Sequence, residues 1–369
     1  MFENIDIPKE LVPSDPRFGS GPSLVPVEFL TALEKTGREL LGTSHRKPAV
    51  KNLVKEMQEG LAHYFQIPSD YEVVIGNGGA TFLFDMIGVG LVEKASVHHT
   101  CGEFSEKWFK SHSLIPWIET KQLGVEYGKG NQLANVDGFD MTCLTLNETS
   151  TGVQNVAIPE KKSGVLIGVD ATSGGGQIKC DISKTDFFFF SPQKVFASEG
   201  GFFVNIMSPE AIDRALKINE SNRYIPGIMN WKLAIDNSRK NQTYNTPSIS
   251  TIFFLNEQVK LMNELGSDKV YQYAEAKAEH VYGWAESKDY LSCFIQEDAH
   301  RSRAVATIDV DDKIDTASLL KVLREKKVVY DIDAYRKLGR NQFRISLFHN
   351  VKLEDLQKLT NLISYFIEK

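Results

Sequence analysis

The stretch Tyr71–Val92, YEVVIGNGGATFLFDMIGVGLV, decides the reading of the fold. Its first residues, Tyr71–Ile75, form a short apolar run that reads as a strand. A glycine-rich turn follows, Gly76-Asn77-Gly78-Gly79-Ala80-Thr81, and Phe82–Val92 then reads as a helix. Glycines let the backbone approach a ligand closely, and a helix N-terminus offers free N–H groups and the positive end of the helix dipole. The turn is therefore a candidate cup for a phosphate; the alternative is a tight strand-to-helix turn that binds nothing. A dinucleotide fingerprint would place a third glycine at position 81, where this chain has Thr81.

Outward from this unit the same alternation continues. Ser96–His99, Met141–Leu146, Val165–Val169, Phe187–Phe190 and Gly201–Met207 read as strands. Several are apolar on both faces, as expected of strands buried between helical layers. Upstream, Pro8–Pro26 is rich in Pro, Gly and Ser and reads as extended, followed by helices over Val27–Leu41 and Val50–Phe65. This order predicts an α/β domain with a mostly parallel sheet. After about residue 265 the pattern changes. Ala304–Val310, Val328–Ile332 and Phe343–Phe348 read as strands, and Thr316–Lys326 and Lys352–Glu368 as helices. The expected division is an N-terminal extended segment (1–25), a large α/β domain (26–264) and a small C-terminal α+β domain (265–369).

Composition narrows the class. The 369 residues carry a formal net charge of -6, so no global basic field attracts nucleic acid. No apolar run approaches the ~20 residues of a membrane span, and Met1–Glu10 lacks the cationic and apolar regions of a secretory signal. The four cysteines, Cys101, Cys143, Cys180 and Cys293, are widely spaced and form no CxxC pair. The expectation is a cytoplasmic protein with reduced thiols. There is no GxSxG elbow and no Walker-type loop.

Two residues carry the strongest chemical signal. Asp170 ends the buried run VLIGV. A carboxylate at the carboxyl end of a parallel strand faces the ligand crevice of an open sheet, and once buried it needs a cationic partner. A protonated pyridine nitrogen would serve; an ordinary helix cap is the alternative. Lys194 lies just behind the run FFFF, in Ser191-Pro192-Gln193-Lys194. A desolvated lysine has a lowered pKa, so its neutral amine can attack an aldehyde. A plain loop lysine is the competing reading. His98 and His99 are adjacent on a strand, point to opposite faces and cannot easily share a metal ion; one buried and one exposed ring is expected.

Taken together, these segments resemble the class V aminotransferases of the fold-type I pyridoxal-phosphate (PLP) group, and within them the phosphoserine aminotransferase family in its actinobacterial form. The matching segments are FGSGP (Phe18–Pro22), GTSHR (Gly42–Arg46), GNGGAT (Gly76–Thr81), GEF (Gly102–Phe104), NETSTG (Asn147–Gly152), DATSG (Asp170–Gly174), SPQKVFASEGG (Ser191–Gly201), NQTYNTP (Asn241–Pro247) and YRKLGRNQFRIS (Tyr335–Ser346). They span nearly the whole chain in family order. The resemblance implies a seven-stranded-type sheet and a homodimer with shared active sites. It implies that Lys194 holds PLP as a Schiff base and moves a proton, and that Asp170 pairs with the ring nitrogen. Phe104 would stack on the ring, where many relatives carry Trp. Gly79, Ala80, Thr149 and Gln193 would hold the cofactor, with Asn245 and Thr246 reaching it from the partner subunit. Some relatives add an arginine to the phosphate cup, where this chain has Ala80 and Thr81.

For the substrate, the resemblance assigns Arg344 to the α-carboxylate, and His45 and Arg46 to a distal phosphate or carboxylate, with Arg336 and Arg340 as further candidates. The implied reaction converts L-glutamate and 3-phosphohydroxypyruvate into 2-oxoglutarate and O-phospho-L-serine, in serine biosynthesis and, with a related substrate, pyridoxine biosynthesis. The alternatives are an alanine–glyoxylate or serine–pyruvate aminotransferase, whose substrates lack a distal anion, or a non-catalytic α/β ligand-binding protein. A cysteine desulfurase would need a mobile cysteine, and Cys293 sits in the apolar run YLSCFI.

Overall fold

The computed structural model describes Phe2 and Ile5–Lys369; the first residues of the expected 1–25 segment and of the signal-peptide reading (Met1, Glu3, Asn4) lie outside the described residues. Among the described residues, twelve strands and ten α-helices are laid out in chain order. The large sheet contains β1 (Glu72–Asn77), β2 (Ala95–Thr100), β3 (Glu119–Gly124) and β4 (Met141–Thr145). A short hairpin, β5 (Asn147–Glu148) and β6 (Val153–Gln154), precedes β7 (Leu166–Asp170), β8 (Phe187–Phe190) and β9 (Phe202–Met207). The seven strands of the large sheet run in the order β1-β9-β8-β7-β4-β2-β3. Of these seven, only β9 runs against the others.

The side-chain period of two explains why FFFF can be buried on both sides. Phe188 and Phe190 join one core with helices α1 (Val27–Leu40), α2 (Pro48–Phe65) and α7 (Ile249–Leu265). Phe187 and Phe189 join the other, with α3 (Ala80–Leu91), α4 (Glu103–Ser113), α5 (Pro209–Asn219) and α6 (Trp231–Ser238). A sheet covered on both faces leaves its strand ends as the place for a ligand.

A second, antiparallel sheet is built from β10 (Leu291–Cys293), β11 (Val305–Val310) and β12 (Gln342–Ser346). With α8 (Ser267–Glu286), α9 (Thr316–Glu325) and α10 (Leu353–Ile367) it forms a separate core, into which Phe2 and Phe18 also pack.

Two sequence expectations are corrected, and one strand that the sequence reading missed is added. Val328–Ile332 is not a strand: Lys327 and Asp331 have positive φ (59° and 63°), and only Tyr330 makes an isolated bridge, to Arg17. Its apolar residues Val328, Val329 and Ile332 are buried in the second core without pairing. The edge strand β3 was hidden because its sequence, ETKQLG, is polar and largely exposed. His98 and His99 are both buried, His98 against His112 and Cys143, His99 against the Ala134 carbonyl. His112 Nε2 lies 3.0 Å from the Trp108 indole nitrogen and 3.1 Å from the Phe84 carbonyl, and its Nδ1 faces His98 at 3.2 Å. Burial holds both rings neutral, His112 down to about 3.

Candidate active site

β1, β4, β7 and β8 share one direction, so the segments that follow them emerge at one edge of the sheet. A cavity of about 240 Å³ lies there, lined by Gly79, Ala80, Phe104, Thr149, Asp170, Gln193 and Lys194 among others. Seven of the sequence-predicted residues are thus brought together.

Asp170 is the last residue of β7 and only 4% exposed. Its carboxylate accepts the Thr172 N–H at 2.9 Å. Burial raises its pKa to about 6 despite the Thr172 hydrogen bonds, and Glu148 adds to the rise. No Lys, Arg or His among the described residues forms an ion pair with it. A carboxyl in this state gains most from a cation delivered by a ligand. Lys194 is half-buried, and its amine donates to the Ser20 carbonyl at 2.8 Å. Burial lowers its pKa to about 8, helped by Arg344 and opposed by Asp170 and Glu148. Three further polar atoms of the cavity lining, Asn147 Oδ1, Thr172 Oγ1 and Gln193 Oε1, are buried with no partner. Unpaired buried acceptors call for a polar guest. The glycine turn supplies donors: Gly79 caps α3 with no side-chain bond, although Ser191 Oγ already takes the Ala80 N–H at 2.7 Å.

Arg344 lies mid-way along β12, and its guanidinium donates to the Thr149 carbonyl at 3.3 Å. That bond joins the first cavity to a second, of about 490 Å³, lined by Ser20, Gly21, Tyr335, Arg336 and Arg344 among others. Arg344 Nε is buried without a partner, and burial holds its pKa below the usual arginine range. Arg336 is exposed at the rim. Arg340 is not free for a ligand: it pairs with Asp309 at 2.9 and 2.6 Å and stacks on Phe294.

Four predicted residues are not brought to either cavity within the chain. His45 is buried with Nε2 unpaired, and Arg46 beside it is exposed. Asn245 and Thr246 are exposed, their carbonyls accepting from Asn77 Nδ2 at 3.2 and 2.8 Å beside the glycine turn. Cys293 is buried, and desolvation raises its pKa, which opposes a role as a mobile nucleophile.

Sequence reasoning missed Gly21 and Ser20, which lie directly on the Lys194 amine. A Cβ at Gly21 would sit 1.6 Å from Lys194 Nζ, and its φ of 149° also favours glycine. Nothing in the composition of FGSGP signals that contact; only the fold creates it.

The comparisons with known proteins agree with this geometry. The model of the family described as aminotransferase class-V matches residues 136–359. A phosphoserine aminotransferase of Corynebacterium glutamicum is 43% identical over 98% of this chain and 97% of its own length. Another, from Nocardioides, is 40% identical, with all of both chains covered. Among solved structures, a phosphoserine aminotransferase from Cytophaga hutchinsonii superposes with a TM-score of 0.87 at 26% identity, over 95% of this chain and 98% of that one. A PLP-bound phosphoserine aminotransferase from Trichomonas vaginalis, at 21% identity and a TM-score of 0.79 over 94% of this chain and 99% of its own, shares the fold. With a glycine cup, a buried acid and a half-buried lysine on one cavity, and full-length relatives at this identity, the chain belongs to the phosphoserine aminotransferase family of class V aminotransferases.

Proposed function

We propose that this chain transfers the amino group between L-glutamate and 3-phosphohydroxypyruvate, giving O-phospho-L-serine and 2-oxoglutarate, with PLP as cofactor. The observation that carries the reading is the placement of Asp170 and Lys194 on one cavity, the acid without a cation and the amine desolvated.

PLP, when bound, supplies the electron sink that stabilises negative charge at the substrate Cα. The chain's own residues do the rest. Lys194 would hold the cofactor and carry the proton to and from the substrate Cα. Asp170 would pair with the ring nitrogen. Phe104, Thr149 and Gln193, on the same cavity, would hold the ring. Gly79 and Ala80 offer backbone to the phosphate at the start of α3.

Arg344 clamps the α-carboxylate through a bidentate fork, with Arg336 near the rim. His45 and Arg46 take the distal anion, and Asn245 and Thr246 the cofactor phosphate, all four from a second copy. This assigns a homodimer with shared sites. It is supported by the absence of all four from the linings of the two cavities and by the exposed apolar side chains Val27, Leu30 and Leu41 along and just beyond α1. A cytoplasmic place in serine biosynthesis fits this chemistry, with pyridoxine biosynthesis open to a phosphorylated analogue. No helix among the described residues is long and apolar enough to cross a membrane.

The test is a substrate panel with glutamate as donor. Phosphorylated keto acids should be accepted far better than plain ones. Equal use of glyoxylate or pyruvate would move the chain to the sibling activity, and no turnover with any acceptor would defeat the proposal.

Gly21→Ala should weaken PLP binding by roughly 10- to 100-fold, since forcing a methyl into a filled space costs about 1–3 kcal/mol. Titrating the apo-protein with PLP measures it; wild-type affinity would show that the Gly21–Lys194 contact has no bearing on the amine.

A further inference from the structure

Glu148 is fully buried and has no cationic partner among the described residues. A carboxylate in that position is tolerated only when hydrogen bonds satisfy it. Five donors do so. Oε1 accepts from the Phe104 N–H (3.2 Å), the Ser150 N–H (3.2 Å) and the Ser150 hydroxyl (2.7 Å). Oε2 accepts from the N–H and the hydroxyl of Ser105, both at 2.9 Å.

Two of those donors are backbone N–H groups in the first turn of α4. The N-cap of that helix is Gly102, which has no side chain to cap with. The carboxylate arrives from the β5–β6 hairpin instead and meets the positive end of the helix. A Cβ at Gly102 would lie 2.4 Å from Glu148 Cγ, so glycine is needed there for space; its φ of 171° is ordinary extended backbone. The GEF and NETSTG segments are therefore one unit, with Glu148 as the joint.

What the joint holds is Phe104. Its N–H is bonded to Glu148, and its ring lines the cavity shared by Asp170 and Lys194. Thr149, next in the chain, lines the same cavity and lends its carbonyl to Arg344. We propose that Glu148 is a positioning residue that fixes the Phe104 ring at the height needed to cover the cofactor. The inference rests on the functional reading above, in that the ring covered is the PLP ring.

The test is a double-mutant cycle on PLP affinity, measured by titrating the apo-protein of each variant. Glu148→Gln keeps the shape but removes the charge and turns an N–H₂ toward existing donors. It should bind PLP roughly tenfold more weakly. Phe104→Leu should also weaken binding, and the double variant should be no weaker than the worse single one. Additive losses, or a Glu148→Gln protein with wild-type affinity, would overturn the proposal. If Glu148→Gln does not fold, Ser150→Ala replaces it in the same cycle. It removes one donor and keeps the charge; it should give a smaller loss that vanishes in the Phe104→Leu background, and a loss that persists there counts against the proposal. Wild-type protein that fails to bind PLP would instead refute the functional reading, a result the titration shows before any variant is made.

Discussion

Lys194→Ala is expected to lower turnover by about 10⁴-fold or more and to remove the visible absorbance of the cofactor-loaded protein. Acid–base catalysis alone contributes about 10²–10⁴-fold, and this residue is assigned both the proton and the covalent hold on the cofactor. The structure supports the assignment on position as much as on pKa. The amine is half-buried, pushed down to about 8 by burial, and shares a cavity with an acid that lacks a cation. Lys277 is a useful contrast. Burial pushes it lower still, to about 7, yet its amine is used by the carbonyls of Phe348 (2.7 Å), His349 (3.3 Å) and Val351 (3.2 Å). It lines neither cavity of the site and faces no acid, so it reads as an anchor between α8 and the loop before α10. A shifted lysine becomes a candidate nucleophile only where a reacting group can reach it. Near-wild-type turnover in Lys194→Ala would refute the assignment.

Arg344→Ala is expected to cost about 2–5 kcal/mol in kcat/KM, roughly 30- to 5,000-fold, for glutamate and phosphoserine alike. The α-carboxylate is common to both amino acids, so a residue that holds it must affect both. The guanidinium is buried, with Nε unpaired and one N–H on the Thr149 carbonyl, which leaves donors for a carboxylate. The guanidinium lies over the Tyr335 ring, 5.4 Å from its centroid. Steady-state kinetics with each donor measures the effect. A loss confined to one of them would place Arg344 at the distal group instead.

How much of this was legible in the sequence depended on what fixes each feature. The central strands were visible because burial on both faces writes itself as unbroken apolar runs, FFFF most plainly. Asp170 and Lys194 were visible because strand ends in such a sheet must face one edge. The edge strand β3 was not, since it pairs on one side only and needs no apolar face. Val328–Ile332 misled in the opposite direction: its apolar residues are buried by packing, and positive φ at Lys327 just before it and at Asp331 within it prevents a ladder.

The site shows the same division. The glycine turn, Asp170 and Lys194 stood out by type and place, whereas Phe104, Thr149, Gln193 and Arg344 were reached only through the family resemblance. Residues whose role is to hold others did not stand out. Glu148 sits unremarked between Asn147 and Thr149, and its five donors come from Phe104, Ser105 and Ser150, which the fold brings together around it. Gly21 is one of 27 glycines, distinguished only by the amine 174 residues away from its neighbour Ser20. Arg340 looked as eligible as Arg336 until Asp309 was seen to hold it.

The central claim concerns one amine. Loading the protein with PLP, reducing it with borohydride and mapping the lysine that carries the pyridoxyl group tests it most directly. Label on Lys194 alone is the predicted result; label on Lys277 or on any other lysine in its place would contradict the account.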